Sequence, residues 1–134
     1  MEVMIERRVR FGDTDPYGVL FFSVLMNYFK ECVDEYFREH GFSPDEVYRN
    51  RSEGFGLPIV HAEADYRSPV RYDDLLRVTC SVGSVNNKSV TFTCSAESSG
   101  TIAGEGKLIF SSISSEWKSI DLPDRIRGLF SKGN

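Results

Sequence analysis

Between Leu25 and Phe37 the chain carries Leu25, Tyr28, Phe29, Cys32, Val33, Tyr36 and Phe37 at intervals of three, one, three, one, three and one. That spacing puts seven apolar side chains on one side of a 3.6-residue helix, with Asn27, Lys30, Glu31, Asp34, Glu35 and Arg38 on the other. It predicts an amphipathic helix over about 23–40, closed by Gly41, since glycine accepts the left-handed turn that ends many helices. A stripe so wide and aromatic needs a broad cover, and a sheet lying along the helix supplies one.

The remainder of the chain reads as that sheet. Val3, Ile5, Val9 and Phe11 alternate with Glu6, Arg8 and Arg10, broken only at Arg7, which predicts a half-buried first strand. Four more strands are expected at about 57–67, 74–85, 88–97 and 102–115. In two of them Leu76, Val78, Cys80, Val82 and then Val90, Phe92, Cys94, Ala96 alternate with polar residues. "VNNK" and "SSG" supply turns, so the last three strands form an antiparallel meander. "FSPDEVYRN" has a helix-start signature, "RSEGFG" reads as a mobile connection, and "DLPDRIRGLF" as a terminal turn or short helix. The prediction is a single α+β domain over 1–134: a five-stranded antiparallel sheet curled around one long helix.

Composition narrows the classes. A chain of 134 residues, 40% hydrophobic, can bury a real core. A net charge of -4 argues against a broad basic surface for nucleic acid, so an anionic ligand has to be met by a few local cations. No apolar run reaches membrane-spanning length, and "MEVMIERRVRF" lacks a signal segment's apolar centre, so a cytoplasmic protein is expected. Cys32, Cys80 and Cys94 have no CxxC or Cys/His ligand spacing; they read as core residues in a reducing compartment, with no metal site.

The chemistry concentrates in "RFGDTDPYGVLFF", residues 10–22. Asp before Pro is a common helix cap and turn, and by itself such a stretch is more often loop geometry than catalysis. Gly18, however, stands where a continuing helix would not want it, and "VLFF" is apolar on all sides. The expectation is a loop running through the interior, with a carboxylate at its turn beside the N–H groups that open the long helix near Ser23. A buried carboxylate there is unfavourable unless it serves a purpose.

In these residues the sequence resembles the 4-hydroxybenzoyl-CoA thioesterase family of hotdog-fold acyl-CoA thioesterases. The resemblance rests on "RFGDTDPYGVLFF", the long helix, "GLPIVHAEADYRSPVRYDDLLRV" and the closing "LPDRIR"; "GLPIVHAEADYRSPVRYDD" is locally similar to the 1,4-dihydroxy-2-naphthoyl-CoA thioesterases. It implies the hotdog fold and hydrolysis of an acyl-CoA thioester. It also implies Asp15 as the catalytic acid, Gly18 as the loop glycine and the Phe22 N–H as an oxyanion donor. The family's helix tyrosine falls on Leu25, and a helix acid used by some members falls near Glu31. In the turn that meets CoA phosphates, only Lys88 is cationic. Further implications are dimers joined edge to edge, sites built from both subunits, and dimers pairing into tetramers. No cofactor is implied, since coenzyme A is part of the substrate.

Several residues carry two readings. His61 is either a strand histidine with a backbone partner or a member of the site; alternation sets it on one face with Ile59, Glu63 and Asp65, bordering an acyl pocket or a subunit interface. Arg67, Arg71 and Lys88, near strand ends, read singly as solvated cations, although CoA needs a few such groups. Asp15 can attack the thioester carbonyl directly or deprotonate water. Two other functions compete: a non-catalytic acyl-CoA-binding module, and a hotdog hydratase or dehydratase, which would want a histidine that "DTDPYGVLFFSVLMNYF" lacks.

Overall fold

The computed structural model describes residues 1–132. Strand β1 (Glu2–Arg8) leads through a 3-10 turn at Phe11–Asp13 into helix α1 (Phe22–Glu39) and a short α2 (Pro44–Tyr48). There follow β2 (Arg49–Asn50), β3 (Phe55–Gly56), β4 (Ile59–Tyr66), β5 (Leu75–Val85), β6 (Ser89–Ser98), β7 (Thr101–Ser111), β8 (Ile113–Ser114) and α3 (Asp124–Lys132). The main sheet has the order β1-β5-β6-β7-β4, and every pairing in it is antiparallel.

Helix α1 lies against this sheet, and all seven residues of its apolar stripe are buried. They meet the inward rows Leu76, Val78, Cys80, Val82 of β5 and Val90, Phe92, Cys94, Ala96 of β6, which are buried as the alternation requires. Fully burying a side chain such as Phe29 or Phe37 stabilises the fold by about 1.5–3 kcal/mol. At Gly106 of β7 an added Cβ would stand 2.3 Å from the Glu63 carbonyl oxygen and 3.0 Å from the Phe29 ring. Glycine is therefore what lets β4, β7 and α1 come so close. The α3 residues Ile126 and Phe130 close the far end, with Phe130 packed among Tyr36, Phe37 and Phe92.

Three details depart from the sequence reading. "RSEGFG" is folded: Phe55 and Gly56 form β3, which pairs β2 and β8 in a second, three-stranded sheet. The expected last strand, 102–115, is divided between β7 and β8, which belong to different sheets. Local apolar patterning cannot distinguish one long strand from two that serve different sheets. "VLFF" is not buried throughout: Leu20 is, but Phe21 and Phe22 are exposed. Apolar character signalled a surface that one chain leaves open.

Candidate functional site

Strand β1 ends beside the start of β5, where Val9 and Asp73–Asp74 exchange backbone bonds, and the acidic loop runs from there to α1. Its two aspartates are held differently. Asp13 accepts the Arg10 N–H at 2.9 Å and the Tyr28 hydroxyl at 2.9 Å through one oxygen, Oδ2. Its carbonyl accepts the Phe21 N–H at 2.8 Å, so Asp13 ties the loop to both the turn and the helix. Burial, and then the Asp13 carboxylate, push the Tyr28 phenol well above its usual range, keeping it a neutral donor.

Asp15 turns its Oδ1 into the loop, where it accepts N–H bonds from Tyr17 (2.9 Å), Gly18 (3.1 Å) and Val19 (3.3 Å). Gly18, at φ +93°, provides the left-handed turn that brings these donors together. The expected buried carboxylate is thus corrected: Asp15 is half-buried, with one oxygen triply satisfied. Its Oδ2 receives no hydrogen bond from the described residues.

Helix α1 begins one residue earlier than expected, at Phe22, with Phe21 in the cap position and no side-chain cap. Helix geometry leaves the Phe22 and Ser23 N–H groups without intrahelical partners, at the positive end of the dipole. The Val24 N–H is already used by the Phe21 carbonyl at 2.9 Å. Tyr66, at the end of β4, donates its hydroxyl to the Phe22 carbonyl and fastens the helix start to the sheet. Sequence reading missed this tie and the Tyr28–Asp13 bond. The signal available was a tyrosine, whose apolar ring packs while its hydroxyl seeks a partner.

A cavity of about 260 Å³ adjoins this region. Leu20, Leu25, Val70 and Ala103 form its buried floor, with Tyr66, Arg67 and Ser68 around it. It borders the end of the loop, where Val19 lines it and also donates its N–H to Asp15.

The other expected site residues are spread out. Arg67 and Arg71 lie at the Asp15 end of the sheet: the Arg67 N–H binds the Ala103 carbonyl, and Arg71 bridges to Val19. Lys88 sits in the β5–β6 turn, across the whole 11-residue length of β5, roughly 30 Å from the loop end. Glu31 faces β1 and pairs with Arg7 at 2.6 Å. His61 lies on the outer face of β4, with Nε2 2.9 Å from Glu63 Oε1, exposed and without the backbone partner one reading gave it. Within one chain, then, Asp15, Gly18, Phe22, Arg67 and Arg71 come together, and Lys88, Glu31 and His61 do not join them.

An antiparallel five-stranded sheet wrapped along one helix, with an acidic loop entering that helix, is the hotdog thioesterase architecture. The profile of the Thioesterase-like superfamily matches residues 9–128, and the chain belongs to that superfamily. Among curated proteins it is similar to the 1,4-dihydroxy-2-naphthoyl-CoA hydrolase of Prochlorococcus marinus (strain MIT 9303), 34% identical over 79 residues, 55% of this chain and 52% of the relative. The chain thus spans about half the length of such curated relatives. Two solved structures share the fold. One is a 1,4-dihydroxy-2-naphthoyl-CoA thioesterase from Synechocystis (TM-score 0.86, 20% identity, 98% of this chain and 96% of that one). The other is an Asp-to-Asn variant of 4-hydroxybenzoyl-CoA thioesterase complexed with 4-hydroxybenzoyl-CoA (TM-score 0.83, 20% identity, 96% and 97%).

Proposed function

We propose that this protein hydrolyses acyl-CoA thioesters, with Asp15 as the reacting carboxylate and the N–H groups that open α1 as the oxyanion hole. The observation that carries the reading is one juxtaposition: a carboxylate with one oxygen anchored and the other free, in the loop that runs directly into an uncapped helix start. The thioester carbonyl oxygen gains negative charge as its carbon is attacked, and the Phe22 and Ser23 N–H groups are oriented to receive it. Gly18 holds the turn that anchors Asp15.

Asp15 has two routes. As a base, Oδ2 takes a proton from water, the hydroxide adds to the carbonyl carbon, and collapse expels the CoA thiolate, which regains that proton. As a nucleophile, Oδ2 adds itself, expels the thiolate and leaves a mixed anhydride for water to cleave. Single turnover in ¹⁸O-water bears on the choice. Label in the Asp15 carboxylate marks an anhydride cleaved at its aspartyl carbonyl, whereas the base route puts label only in the acid product.

Arg67 and Arg71 are suited to phosphates of the same chain's substrate, and Lys88 to those of a substrate held by a second copy, given its distance from the loop. The exposed aromatic surface around Tyr17, Phe21 and Phe22, together with the exposed edge strand β4, supports assembly into dimers or dimers of dimers. Glu31 and His61 could then contribute only across a subunit boundary or by supporting the helix and strand they stand on.

The three N–H bonds to Asp15 favour a second reading, in which the acid is only a loop anchor and the protein binds acyl-CoA without cleaving it. Thiol titration with benzoyl-CoA and palmitoyl-CoA decides between them. Catalytic release of CoA from either supports the thioesterase; binding of both without release supports the module.

A further inference from the structure

We infer that the cavity beside the helix start holds the acyl group and selects acyl groups with no hydroxyl at the end remote from the thioester. The inference rests on the thioesterase reading and adds the chemical class of its substrate. The cavity is bordered by Val19, which binds Asp15, and by Tyr66, which binds the Phe22 carbonyl, so a thioester held at the helix start can direct its acyl group inward.

Every floor residue is aliphatic: Leu20, Leu25, Val70 and Ala103, each nearly fully buried. The polar groups stand at the rim: the Tyr66 and Ser68 hydroxyls donate elsewhere, and the Arg67 guanidinium points its charge to the exposed side. Tyr66 donates to the Phe22 carbonyl, Ser68 Oγ to the Ile102 carbonyl at 2.7 Å, and the Arg67 guanidinium lies 3.7 Å from the Asp65 carboxylate. Leu25 is packed closely against β7, since a Cβ at Gly104 would already be 2.7 Å from Leu25 Cδ2. A hydroxyl carried to that floor exchanges water for methyl groups and stays unpaired, whereas a plain aryl or alkyl end loses nothing.

The test is kcat/KM of the wild-type protein for benzoyl-CoA and 4-hydroxybenzoyl-CoA, which differ by that one hydroxyl, with octanoyl-CoA alongside. Benzoyl-CoA should be favoured about tenfold to a hundredfold, the range an apolar pocket achieves against an added hydroxyl. Val70→Thr, which sets a hydroxyl in the floor at nearly constant volume, should narrow the ratio. Equal or reversed preference in the wild type would overturn the inference and leave the thioesterase reading intact, as would an unchanged ratio in folded Val70→Thr protein. Release from none of the three, nor from palmitoyl-CoA, would overturn both together.

Discussion

The two ends of α1 are built to opposite rules. At its C-terminal end Gly41, at φ +87°, turns the chain so that the Phe42 N–H reaches the Phe37 carbonyl at 3.0 Å and the Gly41 N–H reaches the Arg38 carbonyl at 3.0 Å. These bonds satisfy carbonyls that a helix end would otherwise leave open. His40 Nδ1 meets the Tyr36 carbonyl at 2.8 Å, and Phe37 is wholly buried. At the N-terminal end a phenylalanine occupies the cap, no side chain of the described residues accepts the first N–H groups, and Phe22 is 65% exposed. One end obeys local rules for stability; the other breaks them beside a half-satisfied carboxylate. Where natural sequences break such rules, the break tends to mark function.

Substitution at matched positions is the strongest way to break this contrast. Phe37→Ala should destabilise the fold by about 3–5 kcal/mol, as large-to-small changes at buried aromatic sites do. Phe22→Ala, at the open end, should change chain stability by no more than about 0.5 kcal/mol. Denaturant midpoints for the two variants check the pair, and similar losses would mean that the ends are not different in kind.

The cap itself sharpens the comparison. Phe21→Asp supplies the missing acceptor and a favourable charge at the dipole's positive end, and should stabilise the subunit itself by about 0.5–1 kcal/mol, measured where the oligomeric state is unchanged. The same carboxylate opposes an oxyanion at that point, so kcat for an acyl-CoA should fall, by up to about a hundredfold if a donor is effectively lost. Thermal melts and thiol release on one preparation test both halves. Gain of stability with undiminished turnover would remove the helix start from the chemistry.

A smaller effect belongs to the closed end. Burial pushes the Tyr36 phenol from 10.0 up to about 12, and its hydroxyl is buried without a hydrogen-bond partner among the described residues. The unfolded chain ionises first as pH rises, so this contribution is complete below pH 10 and is lost between 10 and about 12. Tyr36→Phe should flatten that part of the stability–pH curve and slightly stabilise the fold at neutral pH, since an unpaired buried hydroxyl is removed. Denaturation across that pH range measures it.

Legibility in the sequence followed the same division. The stripe from Leu25 to Phe37 and the alternation in β5 and β6 were readable because burial imposes a period that neighbouring residues must share. The split of 102–115 into β7 and β8, and the folding of "RSEGFG" into β3, depend on pairings between distant segments, which no local period records. At the site, Asp15 and Gly18 could be picked out by their resemblance to a family motif and by turn chemistry. That Asp15 binds three N–H groups through one oxygen was hidden, because it depends on the path the backbone takes around Gly18. The exposure of Phe21 and Phe22 was hidden for a different reason: hydrophobicity signals that a residue will be covered, not that its own chain will cover it.

The most direct test is Asp15→Asn, with Asp13→Asn as its counterpart, each assayed for stability and for thiol release from acyl-CoA. The asparagine side chain would keep an Oδ1 acceptor for the three N–H groups, so the loop should survive with a loss of about 1 kcal/mol, the difference between charged and neutral acceptors. It removes the oxygen proposed to act as base or nucleophile, so kcat should fall at least about a hundredfold. Asp13→Asn, which weakens the bonds from Arg10 and Tyr28, should instead lower stability with a much smaller effect on kcat. Wild-type turnover in the folded Asp15→Asn protein would contradict the assignment and leave Asp15 as an anchor of its loop.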